Sequence, residues 1–422
     1  MFGFRINEEF LDLEQNASLS LEVNNPLFNQ DFEKGMLTYG VSAPLSDRNR
    51  RLLRFAGSLS IRSIGKRPLP CQMWLRGQLY RVGKLYVLGR TDKYKVQFVS
   101  DAGDLDTVTE DMLRGTDLSG VSMAYPKVLN PGFYSDEEAA FGYPGYMNGG
   151  GPQVPMPNLV EVFRKTMARY GYSISGQWLQ DYANRVIYNP VLQGNPLQPQ
   201  LHVPELKVAE FIKSIRKHYG LGFIFNGKSK SLQLVYLQEA LQNTAYTDWT
   251  HLAQGTPAWD PNTSDGFTLQ LQTDSDDERQ KDAQAAYQYK YGNGAETINT
   301  GIGTTAMENG VPIVDQEGAT YDDEPDFSFR VLVDNGNGTS SAETVEAVAS
   351  RHLDWMAWHS ETEPVTFNLN LGISELLQLD PLDKKLIRTP QGTLKAFWEK
   401  VQVSLNMTGE MKSKVRFLKV MQ

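Results

Sequence analysis

His352 and His359 are seven residues apart, the nearest approach in this sequence to a metal-ligand spacing. On one helix they would face the same way, but a tetrahedral site needs further ligands and no third one is in view. A hydrogen-bonded or surface role is the simpler reading. The single cysteine, Cys71, excludes an intramolecular disulfide. It lies in the alternating run Cys71–Arg76 with no histidine near it in sequence, so it reads as a small core residue rather than a nucleophile. Glu361, Glu363 and Asp380 have the chemistry of a general acid/base pair for glycoside cleavage. That chemistry depends on the separation of two carboxyls in space, which chain spacing does not set. The acidic run Thr273–Asp282 lacks the alternating ligands, glycine and closing glutamate of a calcium loop, and reads as a solvated loop. Tyr321–Asp326 reads the same way.

Other motifs are equally bare of catalytic meaning. Gly149-Gly150-Gly151 lies in the Gly/Pro/Tyr-rich run 141–152, without the strand–helix setting or the Gly-Lys-Ser/Thr of a phosphate loop. The run reads as a surface loop or arm, with Tyr143 and Tyr146 as candidate inter-subunit contacts. Asp47–Arg54 reads as a short helix with a basic side. Its Arg48, Arg50 and Arg51 form a solvated face or meet an acidic partner. There is no Gly-x-Ser-x-Gly and no His-Glu-x-x-His. The expectation is a chain that is not an enzyme and carries no cofactor and no metal.

The whole chain has 422 residues and a net charge of −9, which argues against wrapping nucleic acid by phosphate neutralisation. The N-terminus lacks the features of a signal peptide, and no stretch approaches the ~20 apolar residues of a membrane helix. Assembly in the cytoplasm without stable membrane insertion is the expectation.

The elements that would carry these residues are mainly strands at both ends. Leu19, Leu21 and Val23 alternate with polar residues, and Cys71–Arg76, Leu79–Leu88 and Tyr94–Val99 read as successive antiparallel strands. Near the C-terminus, Val365–Leu371, Leu394–Leu405 and Met411–Val420 do the same. In the middle one the alternation slips by one residue, which predicts a β-bulge near Glu399-Lys400. Between the ends, Val208, Phe211, Ile212, Ile215 and Tyr219 line one helical face, Gly220 stops the helix, and Asn226-Gly227 signals a hairpin. A similar unit lies upstream: Val160, Phe163, Lys165 and Met167 match Val208, Phe211, Lys213 and Ile215. A weak helix is expected over Leu105–Leu113. The capping box Ser340–Glu343 predicts a helix over 341–358.

Three stretches resemble the tail hub, or baseplate hub, proteins of phages and phage-like injection machines. They are Leu19–Phe28 with Pro44–Phe55, the two helix–hairpin units, and Leu379–Ile387 followed by Gly392–Leu405. The resemblance implies an α+β, mainly β fold: two tail-tube-like β-barrel domains with an inserted helix–hairpin (α/β) domain. The expected boundaries are a first barrel at 1–100, a linker and Gly/Tyr-rich loop at 101–157, an inserted domain at 158–250, and a second barrel at 251–422 containing a long polar loop at 292–326. It implies a structural virion component at the tail tip or baseplate, assembled in the host bacterial cytoplasm. Three chains would adapt a six-fold tube to a three-fold tip. Partners would be a tail tube or distal tail protein above and a spike, fibre or tape-measure protein below, with DNA passing through without specific binding. Inter-chain contacts are expected at the edges of the last two strands, at Leu394, Val403 and Val415. The alternatives are a tail-associated cell-wall-degrading enzyme and a receptor- or glycan-binding tail protein.

Overall fold

The computed structural model describes residues 2–28, 36–57, 68–100, 110–134, 142–261, 266–281, 283–323, 325–407 and 411–420. The fold is α+β and mainly β: two barrel-like β modules with an α/β insertion. The N-terminal module contains strands Phe2–Ile6, Ser18–Asn24, Leu69–Leu75, Gln78–Arg90 and Lys93–Ser100, with shorter strands between them. Their apolar residues alternate, so one face of each strand is buried: Phe4, Leu21, Met73, Leu85 and Phe98 all point into one core. The C-terminal module contains Pro364–Leu369, Lys384–Thr389, Gly392–Asn406 and Met411–Lys419. Tyr246–Asp248 pairs with Lys384–Thr389, and Ala253–Trp259 pairs with Pro364–Leu369. The turn Thr250–Leu252 therefore bridges two distant strands and curls the module.

The two modules are one sheet. Ser18–Asn24 runs antiparallel to Gly392–Asn406, with Val23 opposite Val401 and Leu21 opposite Val403. Fourteen strands are joined in this way. A single core runs from Phe4 and Phe98 to Trp398 and Phe417. The expected bulge is present: the register slips between Trp398 and Lys400, and the Glu399 carbonyl accepts from the Asn25 N–H at 2.8 Å. Cys71 is a core residue, 3% exposed, and burial pushes its thiol up to about 12. We expect no reaction with a thiol reagent in the native protein and one equivalent after unfolding; rapid native labelling would contradict this packing.

The insertion is built on two helices, Leu159–Arg169 and Val208–Tyr219. Asn158 caps the first, accepting from the Glu161 N–H. Gly220 ends the second at φ 61°, a conformation costly for any residue with a Cβ. Phe163, Met167, Phe211 and Ile215 are all fully buried in one shared core, with the Phe163 and Phe211 rings 6.4 Å apart.

One expectation about this region holds and others here and downstream are corrected. The expected hairpin is present as Leu221–Asn226/Ser231–Tyr236 and turns through residues 227–230. Asn226 Oδ1 accepts from the Lys228 and Ser229 N–H groups, and the positive φ falls on Lys230. The upstream unit has no hairpin of its own: Ser173–Ser175 joins the downstream hairpin in parallel, and Arg185–Tyr188 pairs with Arg330–Gly336. The stretch 292–326 contains strands Glu296–Gly303, Ala306–Glu308 and Val311–Ile313. The first of these belongs to a sheet with Phe267–Gln272 and Arg330–Gly336, whose Phe329 and Val331 pack under Phe211 and its neighbours. The insertion therefore extends well past residue 250. The last helix begins at Val345, capped by Thr344, and is interrupted at Arg351-His352 before Leu353–Glu361. Residues 105–109 of the expected weak helix lie outside the described residues; Leu113 opens one 3-10 turn, Leu113–Gly115.

The insertion is fastened to the sheet by side chains that satisfy main-chain carbonyls. Arg216 donates to Pro26 O at 2.8 Å, and Trp358 Nε1 to Lys419 O at 2.8 Å. Lys384 Nζ donates to Leu241 O at 2.5 Å and also to Asn243 O.

Candidate assembly surfaces

The candidate contact residues occupy three different settings. In the first, helix Asp47–Leu52 turns its arginines onto an acidic stretch of its own chain. Arg48 pairs with Asp12 at 2.9 Å, Arg51 with Glu9 at 2.8 Å, and Arg50 with Asp47 at 3.5 Å. Exposed pairs of this kind contribute roughly 0–1 kcal/mol each, so they orient the helix more than they stabilise it.

In the second setting, the described part of the Gly/Tyr-rich run is folded into the insertion. Tyr146-Met147 pairs with Val128-Leu129, which pairs with Val311–Ile313. Tyr143 donates its hydroxyl to Asn130 O at 2.7 Å and packs edge-on against Tyr134; burial raises its pKa. Tyr146 lies under the Lys127 ammonium at 3.8 Å. Asn148, at φ 56°, braces the run by donating to Val154 O and accepting from the Val154 N–H.

The third setting corrects an expectation. Val403 and Val415 are 2% and 0% exposed, inside the chain's own core, and Leu394 packs against it. Gly392–Asn406 and Met411–Lys419 pair with each other. They also pair on their far sides with Ser18–Asn24 and Pro364–Leu369. Over Lys400–Leu405 and Ser413–Leu418 both edges are paired, while Leu394 pairs with Ile387 on one side. Alternation reports which face of a strand is buried, not whether the strand is central or peripheral. Beside the short one-sided branches Val41–Pro44 and Tyr246–Asp248, the main path of the sheet ends, among the described residues, in Ala253–Trp259 on one side and the hairpin Phe2–Ile6/Glu9-Phe10 on the other. Each carries an exposed aromatic: Trp259 is 55% and Phe10 45% exposed. Gly255, Pro257 and a register shift blunt the first edge, which is how natural edges resist uncontrolled pairing.

The residues singled out for catalysis or metal binding have local structural roles. Glu361 accepts from the Tyr291 hydroxyl at 3.1 Å, and Asp380 accepts from the Leu382 N–H at 2.9 Å. A cleft of about 310 Å³ separates the sheet from the hairpin Leu221–Tyr236, and Glu361, Glu363 and Asp380 do not line it. His352 is buried against His218 O at 3.3 Å, and among the described residues no three His, Cys, Asp or Glu side chains cluster to hold a metal. No helix among the described residues is long and apolar enough to cross a membrane.

Two buried charge clusters had no counterpart in the sequence reading. Glu343, expected as part of a capping box, instead meets Arg185 at 2.6 Å, Arg351 at 2.5 Å and His218 at 3.7 Å. Burial alone would raise its carboxyl, but the nearby His218 imidazole and the Arg351 and Arg185 charges hold it well below the usual carboxylate range. The run 273–281, expected as a solvated loop, buries Asp274 and Asp277 against Arg330.

Buried histidines and Glu343 set the pH response. Burial pushes His202 and His352 down to about 4. Between that value and an unfolded histidine pKa of about 6.5, the unfolded chain binds protons that the folded chain does not. Stability is therefore expected to fall as pH drops through this window, by about 1 kcal/mol per pH unit for each histidine. The contribution of Glu343 is complete above its unfolded pKa and is lost as pH falls below it, which steepens the decline. Urea denaturation across this pH range should show the slope, and a His202→Gln, His352→Gln double variant should reduce it, the remainder coming from His218 and His359, which burial also pushes down. A wild-type profile without slope would contradict the burial of both imidazoles.

Similar solved structures are phage-tail and secretion proteins. The chain is similar to the tail protein of Neisseria meningitidis MC58 (9% identity, 99% of this chain and 96% of that one, TM-score 0.48). It is also similar to the 43 kDa tail protein of prophage MuSo2 from Shewanella oneidensis (7%, 99% and 98%, TM-score 0.45). A third is a type VI secretion component of E. coli, described as structurally similar to the T4 tail proteins gp27 and gp5 (8%, 99% and 76%, TM-score 0.41). No protein-family model and no curated protein sequence matches the chain.

Proposed function

We propose that this chain is a structural, non-enzymatic hub at the distal end of a phage or phage-like tail. The observation that carries this reading is the junction of two barrel-like modules through the Val23–Val401 ladder, with the insertion on one side. A chain with two joined modules supplies two units to a ring, so three chains supply six. That is the arithmetic needed between a six-fold tube and a three-fold tip. The outer strands at opposite ends of the sheet offer unlike surfaces, as a head-to-tail contact in a closed ring requires. In this reading three copies close through the Ala253–Trp259 edge of one and the Phe2–Phe10 hairpin of the next. Tube or distal tail protein docks above, spike, fibre or tape-measure protein docks below, and the genome passes through the middle.

The test is to place a charge on each edge. Trp259→Asp and Phe10→Asp should leave the melting transition of the isolated chain unchanged and prevent its incorporation into tails. Normal incorporation of both variants would overturn the edge contact. Zymography of the purified chain on host cell wall should give no clearing; a clearing band would favour the cell-wall-degrading alternative.

A further inference from the structure

The sheet has a second face, turned away from the core, and across the module junction that face has a pattern of its own. Residues directly opposite one another in a ladder share a face. One row crosses the junction as Ser20, Ser404 and Lys412. The next row crosses as Glu22, Gln402, Lys414 and Asn368. All of these residues except Glu22, together with Tyr39, line a shallow depression of about 440 Å³. Lys412 and Lys414 are exposed and make no ion pair among the described residues. Glu22, the acid in these rows, is nearly buried, and both its oxygens are occupied: Oε1 by Lys400 at 3.1 Å, Oε2 by Gln402 at 3.1 Å and Tyr39 at 3.2 Å. The patch is therefore cationic on a chain of net charge −9.

We propose that this face binds the phosphodiester backbone of nucleic acid, without sequence preference. Lys412 and Lys414 are two residues apart on one strand, which spaces them by about 6.7 Å. That is close to the roughly 7 Å that separates adjacent phosphates along one DNA strand, where each step rises ~3.4 Å along the axis and also turns about it. The remaining groups in the rows are hydroxyls and amides, which donate to phosphate and sugar oxygens and position a duplex without reading it. Tyr39, half exposed, is the aromatic side chain of this depression, and its hydroxyl is committed to Glu22. The two rows present only ammonium, hydroxyl and amide groups around a neutralised carboxylate. Such a contact is weak and salt-labile, which agrees with DNA that must pass and not stay.

The test uses the full-length chain and a fluorescent duplex of about 30 base pairs and arbitrary sequence, read by anisotropy as salt rises from about 50 mM. Wild-type protein should bind at low salt and lose affinity steeply. A Lys412→Gln, Lys414→Gln double variant with an unchanged melting transition should bind at least about tenfold more weakly, with a salt slope smaller by about 2. Lys165→Gln, on the exposed side of Leu159–Arg169, should change nothing. Absence of binding at low salt, or equal binding by the double variant, would overturn the proposal. So would equal or tighter binding of polyglutamate, which would assign the face to an acidic polypeptide. The hub reading rests on the two-module junction and is tested by copy number, so none of these outcomes affects it.

Discussion

Replacing Arg330 with methionine is expected to destabilise the protein by about 3–5 kcal/mol, because it leaves two carboxylates buried without a counter-charge. Arg330 is fully buried in the insertion. Its guanidinium donates to Asp277 at 2.6 Å, to Asp274 at 2.9 Å and to Gln316, and it lies 4.5 Å from the centre of the Tyr188 ring. The aspartates are held in turn by Ser328 and by the Arg279 and Asp315 N–H groups. Adding Asp274→Asn and Asp277→Asn to the methionine variant should recover part of the loss, since no charge then remains buried. Urea denaturation of the three proteins checks this. A methionine variant within about 1 kcal/mol of wild type would show that the cluster does not hold the acidic run in place.

The second large effect is expected at Phe211. Phe211→Ala should destabilise the protein by about 3–5 kcal/mol. Its ring is fully buried, 6.4 Å from the Phe163 ring and 5.3 Å from that of Phe329. It therefore joins both helices to the second sheet of the insertion. Lys165→Ala, on the exposed face of the paired helix, should change stability by less than about 0.5 kcal/mol. Equal, small effects at the two positions would mean that the insertion does not share one core.

Much of the fold was legible because burial on one face leaves a period in the sequence. The period of 3.6 from Val208 to Tyr219 gave the helix and its buried side, and the slip after Trp398 gave the bulge. Strand pairing left no such trace. Nothing local to Ser173–Ser175 says that it pairs with Ser231–Gln233, and nothing in Glu296–Gly303 distinguishes it from a polar loop. Such pairings are fixed by the tertiary core. The acidic run 273–281 misled for a related reason: charge along a chain reads as solvation until a distant partner, here Arg330, is brought to it. Of the candidate surfaces, the lysine face was the most accessible from sequence. Lys412, Lys414 and Arg416 alternate with Ser413, Val415 and Phe417, so one strand already separates a cationic side from a buried one. The free edges were not accessible, because centrality within a sheet is a property of the whole topology.

The central claim is that three copies of this chain form one closed ring at the end of a tail. The most direct measurement is the copy number and symmetry of the chain within assembled particles, by electron cryo-microscopy of tails labelled at this protein. The account predicts three copies about one axis, with six similar modules around a central channel and the Ala253–Trp259 edge of each copy against its neighbour. Six or twelve copies, or copies scattered over the tail surface, would contradict it.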